Sequence, residues 1–566
     1  MSAIGALAIM IRKIFDAFTF GERRAFLAAV ALGVASALSL ALFIFITSTN
    51  VAPARGGEYA EGFVGQPSFV NPVLAATEID RGLVRLLFAN LDTLAEKVDM
   101  DEQGRIFRVR LKENLTWSDG RKLTSDDVIF TVQKIQDTEH RSPLATSWQG
   151  VAVSRSSELE LQFNLGAPYP SFAENLKALY PVPKHLFAEI PAANWRLSDY
   201  NLKPVGSGPY QFSAYEKQPD GFLRSYRLAA NEHYAGEAPF ISGFTATFFP
   251  NRKDLVAAFN SGSVDGMALA DALALGDIKR PYRLFSFRIP SYYAVFFNQS
   301  QSVALKDPVV RKALNDAAFP VTEKILKEVF DGRARAVNGP VPPDVLPEMD
   351  SDVREVATSS VSALENAGWR LPSRATSSDA AGNSDVREKQ LKSGKASLEF
   401  TLTVPDLPFL VRTAEELIAA WKPLGAKVTL AVVPLGEEMN QMIKNRSYQA
   451  ILFGNVLNPP FDLYPFWSSN ERFSPGRNLS LYSNKRVDTL LENIRKATDE
   501  EKRMHDVRDA ASIISGDIPA IFLYSPDYLY LATKDLKGVS PALMNEPADR
   551  FLGAGLWYLK TARVWE

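Results

Sequence analysis

The sequence predicts an α/β protein of more than one domain that follows a single transmembrane helix. Three observations lead to this prediction. A run of 22 residues without a charge, Ala25 to Ile46, precedes most of the chain. Beyond it, short strand patterns alternate with amphipathic helix patterns. The 566 residues also suffice for three to four domains, at about 150 residues per domain.

The apolar run is long enough to cross a bilayer. At 1.5 Å per residue it would extend roughly 33 Å, against a hydrocarbon core of about 30 Å. Because basic residues precede it, the positive-inside rule places residues 1–24 in the cytoplasm. We expect a transmembrane helix over 25–47, a linker over 48–57 and the rest of the chain outside the cell membrane. The basic residues are Arg12, Lys13, Arg23 and Arg24.

A cleaved signal peptide is the alternative to an anchor. The tripeptide Ala52-Pro53-Ala54 resembles a cleavage site. However, the apolar run is longer than the roughly 7 to 15 residues usual in signal peptides, and we favour the anchor. The chain has no cysteine, so no lipid can be attached to an N-terminal cysteine and the helix is the only anchor available.

Strand and helix patterns follow in the outer part. The segment Ile106 to Lys112 alternates apolar with basic residues, as in a half-buried strand. Thr124 stands three positions before Asp127, which is typical of a capped helix start, and Asp307-Pro308 begins another helix. Residues 370–397 are rich in Ser, Ala and charge and cannot bury a core. We interpret them as an exposed hairpin excursion or flexible loop.

Composition excludes several classes of function. With 63 Lys and Arg against 65 Asp and Glu, the chain lacks the basic excess of a general nucleic-acid binder. The absence of cysteine excludes disulfides, thiolate zinc sites, iron–sulfur clusters and a cysteine nucleophile. The four histidines show no metal-ligand spacing. We expect no metal and no cofactor.

Catalytic motifs are also missing from the sequence. It contains no GxSxG, HExxH or GxxxxGK[ST] string and no GxGxxG at a strand-to-helix turn. The nearest glycine loop, Val205 to Pro209, carries a proline where a phosphate cradle needs free backbone donors, so we interpret it as a rigid turn. We expect no catalytic residue and no enzyme.

Two aromatic sets indicate a concave binding site, with core packing as the alternative for each member. The second set follows the loop Asn458-Pro459-Pro460, and loops at strand ends often form sites. We take Tyr293 and Trp467 as candidate ligand-binding residues. The two sets are Tyr292, Tyr293, Phe296 and Phe297, and Phe461, Tyr464, Phe466 and Trp467.

Several longer strings occur in order along the chain. They include FVNPVLAATEID (69–80), FRVRLKENLTWSDGRKLTSDDVIFTVQKI (107–135), PVGSGPYQF (204–212), FFNQSQSVALKDPVVRKALNDA (296–317) and IPAIFLYSPDYLYL (518–531). From about Glu58 to Leu531, the sequence resembles the family 5 extracellular solute-binding proteins of ABC importers, which include oligopeptide, dipeptide and nickel binders.

This resemblance implies a two-lobed, periplasmic-binding-protein-like α/β fold of type II, cluster C, whose lobes close on the ligand. Lobe one would comprise residues 58–103, 202–290 and 532–566. A subdomain would be inserted in it at 104–201. Lobe two would comprise residues 291–531.

The resemblance also implies where the ligand binds. The ligand-side loop would bind an extended ligand through its backbone, by β-augmentation. Peptide binders of the family carry an aspartate near the facing strand end, which pairs with the ligand's α-amino group. This chain has the uncharged Asn458 there, with Asp462 four residues later, so the pairing would be weaker. The implied residues are Ala76, Thr77 and Glu78 in the loop, and Asn455, Val456 and Asn458 at the facing strand end.

Together these features predict a membrane-anchored, extracytoplasmic substrate-binding protein of an ABC importer. It would capture peptides or similar extended solutes and deliver them to a permease driven by ATPase subunits. The outer part is expected to be monomeric and to bind no nucleic acid. The alternative is a transport-independent solute sensor or surface interaction module with the same fold.

Overall fold

The fold is given by a computed structural model, which describes residues 17–269, 272–346, 360–372, 385–392, 394–457, 461–540 and 543–565. The chain divides into two units, Met1–Gly57 with Tyr558–Glu566, and Glu58–Trp557.

The strands are β1 (Thr49–Ala54), β2 (Glu58–Val64), β3 (Ala95–Met100), β4 (Ile106–Leu111), β5 (Ala152–Arg155), β6 (Glu160–Asn164), β7 (Tyr210–Lys217), β8 (Leu223–Ala230), β9 (Gly243–Phe249), β10 (Gly266–Leu269), β11 (Tyr282–Phe287), β12 (Ser291–Phe297), β13 (Ala334–Ala336), β14 (Glu388–Leu391), β15 (Gly394–Ser397), β16 (Glu399–Pro405), β17 (Lys427–Val433), β18 (Ala450–Val456), β19 (Ala520–Pro526), β20 (Tyr528–Thr533) and β21 (Lys560–Trp565). The α-helices are α1 (Phe20–Thr47), α2 (Glu78–Leu87), α3 (Leu91–Leu94), α4 (Ser125–Gln136), α5 (Ala145–Trp148), α6 (Phe172–Lys177), α7 (Lys184–Phe187), α8 (Ala192–Trp195), α9 (Arg252–Ser261), α10 (Val303–Lys306), α11 (Pro308–Glu328), α12 (Ser360–Asn366), α13 (Pro408–Trp421), α14 (Glu437–Asn445), α15 (Tyr464–Trp467), α16 (Lys485–Lys496) and α17 (Glu500–Asp517).

The first unit consists of the helix α1 and a two-stranded ribbon. Among the described residues, α1 is the one helix long and apolar enough to cross a membrane. Over its described length no side chain is buried, so its apolar surface faces outward on all sides. β1 pairs antiparallel with β21, from Thr49 opposite Trp565 to Ala54 opposite Lys560.

The ribbon was not predicted from the sequence. The linker expected over 48–57 contains the six-residue strand β1, and the last strand described, expected in lobe one, belongs to the same unit as α1. Local composition could not show this, because the backbone groups of β1 find their partners at the far end of the described chain.

The second unit contains two large mixed sheets. A seven-stranded sheet has the order β11-β20-β10-β2-β9-β8-β7, with β10, β2 and β9 parallel. A six-stranded sheet has the order β13-β19-β12-β18-β16-β17. Helices α11 and α13 cover one face of the six-stranded sheet, and α16 and α17 cover the other. Both faces of the six-stranded sheet are therefore buried, which matters for its aromatic residues.

A four-stranded antiparallel sheet, β3-β4-β6-β5, forms the core of the region predicted as an inserted subdomain. If each large sheet marks one lobe, two predicted boundaries shift. β3 begins the insertion before residue 104, and the return to lobe one comes at β20, which starts at Tyr528, before residue 532. A single residue, Asp527, separates β19 from β20. The two strands therefore look like one continuous strand in the sequence, although they belong to different sheets.

The local patterns predict the observed elements well. In β4 the side chains of Phe107, Val109 and Leu111 are buried and the basic ones are not. Thr124 caps α4, where its backbone N–H donates to Asp127 Oδ2 at 2.9 Å. Asp307 caps α11, as predicted, and its side chain accepts a hydrogen bond from the Val309 N–H at 3.0 Å. Within the predicted loop 370–397, β14 and β15 form an antiparallel hairpin, while residues 373–384 and 393 lie outside the described residues.

The glycine loop before β7 is a turn held against α2. The Gly208 N–H donates to the Leu87 carbonyl at 2.9 Å, and the Gly206 carbonyl accepts from the Ser118 N–H at 2.8 Å. A Cβ on Gly206 would lie 1.8 Å from the Leu87 oxygen. The glycines therefore allow close backbone approach, which fits the rigid turn inferred from Pro209.

We expect Gly206→Ala to destabilise the protein strongly. The added methyl group meets backbone, which cannot move aside, so the apparent free energy of unfolding should fall by at least ~2 kcal/mol. Gly166→Ala is the control, since a Cβ there meets nothing within 4 Å. Thermal melts of both variants test this, and equal melting temperatures would contradict the close approach.

Candidate functional site

Two adjacent crossings connect the large sheets. Residues 288–290 lead from β11 to β12, and Asp527 leads from β19 to β20. β11 pairs with β20 in one sheet, and β12 pairs with β19 in the other. The two crossings therefore run side by side, which is the arrangement of a hinge between two lobes. The pair Ser291 and Val456 lies at the crossing end of the six-stranded sheet.

A cluster of charges surrounds these crossings. Arg288 Nη1 lies 3.2 Å from Asp344 Oδ1, which also accepts a hydrogen bond from Arg335. Arg335 Nη2 lies 3.5 Å from Asp527 Oδ1. Burial raises the pKa of Asp527 from its ordinary value, and the positive charge of Arg335 opposes this rise. The cluster links both crossings through Asp344, and no pattern in the sequence indicated it.

The predicted ligand-side loop forms the start of α2. Thr77 caps the helix, and its side chain accepts from the Asp80 N–H at 3.1 Å. In return, Asp80 Oδ2 accepts from the Thr77 and Ala76 N–H groups at 3.2 and 3.4 Å. Asp80 Oδ1 accepts from the Ser68 and Phe69 N–H groups. The backbone donors expected to bind ligand are therefore already engaged by a buried carboxylate, although Ala76 and Thr77 are exposed.

Glu78, the third residue of this loop, is held by its side chain. Its Oε1 accepts from Arg550 Nη1 at 2.7 Å and from the Tyr528 hydroxyl at 3.0 Å. Tyr528 is the first residue of β20, directly after the crossing. Glu78 thus connects the loop to one end of the hinge.

Arg550 continues this network into the core. Its Nη2 lies 3.4 Å from Oε1 of Glu61, a fully buried residue of β2. Glu61 Oε2 accepts from the Tyr530 hydroxyl at 2.7 Å and from Tyr59 at 3.4 Å. Burial raises the pKa of Glu61 to about 7, against the opposing charge of Arg550. Charged residues in a core are rarely left unpaired, and here one arginine serves two glutamates.

The raised pKa makes stability depend on pH. The folded protein keeps the Glu61 proton at pH values where the unfolded chain, with an ordinary pKa of 4.5, has released it. The cost of burying the charge is therefore absent below about pH 4.5, grows up to about pH 7 and is complete above it, reaching about 3 kcal/mol.

We expect wild-type protein to lose stability relative to Glu61→Gln as the pH rises from 5 to 8. The amide cannot ionise, so the difference in melting temperature between the two proteins should change in this interval. Melts at a series of pH values give this difference. A difference that stays constant with pH would mean that folding does not change the pKa of Glu61.

Four predicted site residues lie within the six-stranded sheet or against it, and three of them, Tyr293, Asn455 and Trp467, are half-buried or buried. Tyr293 packs edge-on against Phe409 at 5.2 Å between ring centres. The Asn455 side chain donates to the Tyr292 hydroxyl at 3.1 Å and is buried. These contacts lie at the cores on the two sides of the sheet. Asn455 can therefore shape a site only from within the sheet, whereas Tyr293 is half-buried and keeps part of its surface open.

Trp467 is the third of these residues. It is 1% exposed, and its ring centre lies 5.7 Å from that of Phe522 and 6.1 Å from those of Phe296 and Tyr482. Trp467 therefore lies in a core, which is the alternative stated above for each aromatic residue.

Val456 differs from these residues because it is 44% exposed. It is the last residue of β18 and lies next to the crossings. Leu457 then donates its N–H to the Pro290 carbonyl at 2.6 Å, which ties the strand end to the first crossing. Asn458 lies outside the described residues.

Asp462, the acidic residue nearest Asn458, is paired. Its Oδ2 accepts from Arg495 Nε and Nη2 at 2.9 and 2.6 Å, and its Oδ1 accepts from the Tyr464 N–H at 3.0 Å. The Arg495 guanidinium also stacks on the Tyr464 ring at 3.8 Å. Burial, and to a lesser degree the charge of Asp462, raises the pKa of Tyr169 to about 12. Tyr169, from the region of the inserted subdomain, therefore comes close to this pair.

Among the described residues, no group of three or more His, Asp and Glu is placed to hold a metal ion. The residues gathered near the crossings are paired charges and aromatic rings. Two sheets with adjacent crossings, and a strand end and a helix start beside them, define a two-lobed binding protein.

Comparison with known proteins identifies the family. The model "Bacterial extracellular solute-binding proteins, family 5 Middle" matches residues 92–474, more than half of the chain. The chain therefore belongs to family 5 of the bacterial extracellular solute-binding proteins, which serve transport and are not enzymes. This confirms the resemblance seen in the sequence.

Two relatives illustrate the match. The chain is 24% identical over 522 residues to the oligopeptide-binding protein AppA of Bacillus subtilis, covering 86% of this chain and 89% of AppA. It is 21% identical over 510 residues to the dipeptide-binding protein of Escherichia coli, covering 84% of this chain and 90% of that protein.

Solved structures confirm the predicted two-lobed fold. AppA of Bacillus subtilis in complex with a nonapeptide matches with a TM-score of 0.69 and 23% identity, covering 90% of this chain and all of AppA. CtaP of Listeria monocytogenes matches with a TM-score of 0.74 and 21% identity, covering 89% and 99%. NikZ of Campylobacter jejuni in complex with Ni(L-His) matches with a TM-score of 0.68 and 22% identity, covering 88% and 99%.

Proposed function

We propose that this protein is a membrane-anchored receptor that captures peptides or similarly extended solutes between its two lobes. It then delivers them to an ABC permease driven by ATPase subunits. The observation that carries this proposal is the pair of adjacent crossings between two large sheets, in a chain whose relatives include oligopeptide- and dipeptide-binding proteins. Lobe closure about such crossings encloses a ligand and gives the permease a distinct liganded shape to recognise.

The structure supports an anchor that stays attached. The apolar side chains of α1 face outward, as a lipid-exposed helix requires. The candidate cleavage site Ala52-Pro53-Ala54 lies within β1. Cleavage there would remove the partner strand of β21, whereas an uncleaved chain keeps the ribbon intact. On this proposal residues 1–24 are cytoplasmic, the cell membrane holds a single span, and the lobes are extracytoplasmic.

Mass spectrometry of the purified protein tests the anchor. We expect a chain that retains α1, and the positive control is the same protein expressed with a known cleavable signal in place of α1. A mature N-terminus at Arg55 would overturn the anchor.

The ligand site is proposed at the crossing end of the lobes. Val456 and Asn458 would line it from lobe two. The segment Ala76, Thr77 and Glu78, of which the first two residues are exposed and the third is half-buried, would line it from lobe one. Asn455, Tyr293 and Trp467 would support the wall from behind, through the sheet. Because Asp80 already engages the backbone donors of the loop, we propose that this loop contributes mainly its outward surface and the Glu78 carboxylate.

We expect little dependence on a free peptide N-terminus. Asn458 is uncharged, and the carboxylates described near the proposed site are all paired: Glu78 with Arg550, Asp462 with Arg495, and both Asp344 and Asp527 with Arg335. N-terminal acetylation of a bound peptide should therefore change its affinity by less than about tenfold, since it removes no fully charged pair. Competition between free and acetylated forms of one peptide measures this. A loss above a hundredfold would show that a carboxylate is released for the amine.

Thermal unfolding of the full chain with a peptide panel tests the proposed function. A ligand present at 100 times its Kd stabilises the folded state by about 2.7 kcal/mol, so a bound peptide should raise the melting temperature measurably. Matched panels of free amino acids, sugars and nickel with histidine show whether the effect is specific. Stabilisation by one of these panels and by no peptide would overturn the peptide assignment.

A further inference from the structure

One tryptophan of the chain stands apart from the others. Seven of the eight tryptophans are at most 3% exposed, and all eight lie in the described part of the chain. Trp565, in β21, is 62% exposed, and its neighbour Val564 is 47% exposed. Because successive side chains of a strand point to opposite faces, both faces of the ribbon expose an apolar side chain at this end, which indicates that something else covers it.

The position of Trp565 indicates what covers it. Its ring lies edge-on to Phe45, with 5.8 Å between ring centres. Phe45 belongs to the last apolar turn of α1, so this end of β21 lies at the end of the uncharged run 25–46. Where α1 enters the bilayer, Trp565 lies at the boundary between hydrocarbon and head groups.

Arg563 completes the arrangement. Its guanidinium lies 5.8 Å from the centre of the Phe45 ring, and its Nη1 donates to Thr49 Oγ1 at 3.2 Å and to the Ile46 carbonyl at 3.4 Å. Tryptophan and arginine are residues that favour the membrane interface, where the ring lies among head groups and the guanidinium meets phosphates. Lys560 adds a second positive charge at the other end of the strand.

We propose that β21 is a second membrane contact, which binds the head-group layer of the outer leaflet through Trp565, Val564 and Arg563. The inference rests on the proposed uncleaved anchor. The ribbon of β1 and β21 is roughly 20 Å long at 3.4 Å per residue, while each interfacial layer is only about 5–8 Å deep. The ribbon therefore enters the layer with one end and holds its Lys560 end outside, as a short stalk.

The absence of cysteine makes a direct test possible, because a single introduced cysteine can carry a fluorescent label. We would label Val564→Cys in the full chain, place it in lipid nanodiscs and measure quenching by lipids brominated at a shallow or a deep chain position. Leu38→Cys reports the span of α1, and Leu197→Cys, an 81% exposed position in the second unit, reports bulk water.

We expect the label at position 564 to be quenched by shallow bromine, the label at 38 by deep bromine, and the label at 197 by neither. Adding Trp565→Ser should lower the quenching at 564 at least twofold. Quenching at 38 without quenching at 564 would overturn the inference and leave the anchor standing. An apolar emission spectrum at 564 without quenching would mean that protein covers β21, which also overturns it. Loss of quenching at both positions would refute the anchor itself.

Discussion

Replacing Arg550 with methionine should destabilise the protein by about 3–5 kcal/mol. The Arg550 side chain is 1% exposed and is bound to both Glu61 and Glu78. Arg550 lowers the pKa of Glu61, so its removal raises that pKa further and leaves Glu61 either to take up a proton or to stand as an unpaired charge in the core. The methionine fills most of the volume without restoring the charge. The cost should be smaller at pH 5, where Glu61 is protonated and uncharged. Denaturation at pH 5 and pH 8 measures both values.

The matched control is Arg412→Met. Arg412 also pairs with a glutamate, Glu416, at 2.6 Å, but its side chain is 51% exposed, and exposed pairs contribute about 1 kcal/mol at most. The double variant Arg550→Met with Glu61→Gln should recover much of the loss, because it removes both members of the buried pair. Equal costs for Arg550→Met and Arg412→Met would contradict the role assigned to the buried network.

Truncation of Trp467 should lower the stability of the protein even in the absence of ligand. The ring fills a core between the six-stranded sheet and the helices on one of its faces, so we expect Trp467→Ala to lower the free energy of unfolding by about 3–5 kcal/mol. Phe473→Ala is the control, because Phe473 lies close by in sequence but is 67% exposed. Unfolding of both variants without ligand tests this. If Trp467→Ala kept a normal melting temperature but lost ligand binding, Trp467 would have to contact the ligand directly and not serve the core.

Local patterns in the sequence were sufficient for many elements of the fold. The caps at Thr124 and Asp307, the alternation in β4 and a helix over the apolar run each depend on neighbours within a few residues, and the structure contains each of them. The family resemblance supplied the two lobes. It could do so because the order of strings along the chain reflects the order of strands and crossings.

The site residues stay a prediction, and the structure changes what each of them could contribute, for a physical reason. Trp467 is buried and Tyr293 is half-buried, because helices cover both faces of the six-stranded sheet, and the sequence does not show what covers a sheet. The charge partners of Glu78 and Asp462 also lie far away in the sequence, at Arg550 and Arg495. Sequence spacing cannot show such pairs, so the loss of free carboxylates at the proposed site became visible only in the structure.

Besides the burial of the aromatic residues and the distant charge pairs, only the structure revealed the pairing of β1 with β21. A short polar segment with glycine and proline nearby is typical of a linker. Its pairing with a strand from the far end of the described chain joins that strand to the same unit as the anchor helix.

The central claim is that the two lobes bind a peptide. Isothermal titration calorimetry of the full chain in nanodiscs, with peptides ranging from dipeptides to nonapeptides, tests it most directly. The account predicts saturable binding of one peptide per protein for at least one length, with a negative heat-capacity change from the apolar surface that lobe closure buries. Folded protein that gives no binding heat with any peptide at any temperature, and no rise in melting temperature, would contradict it.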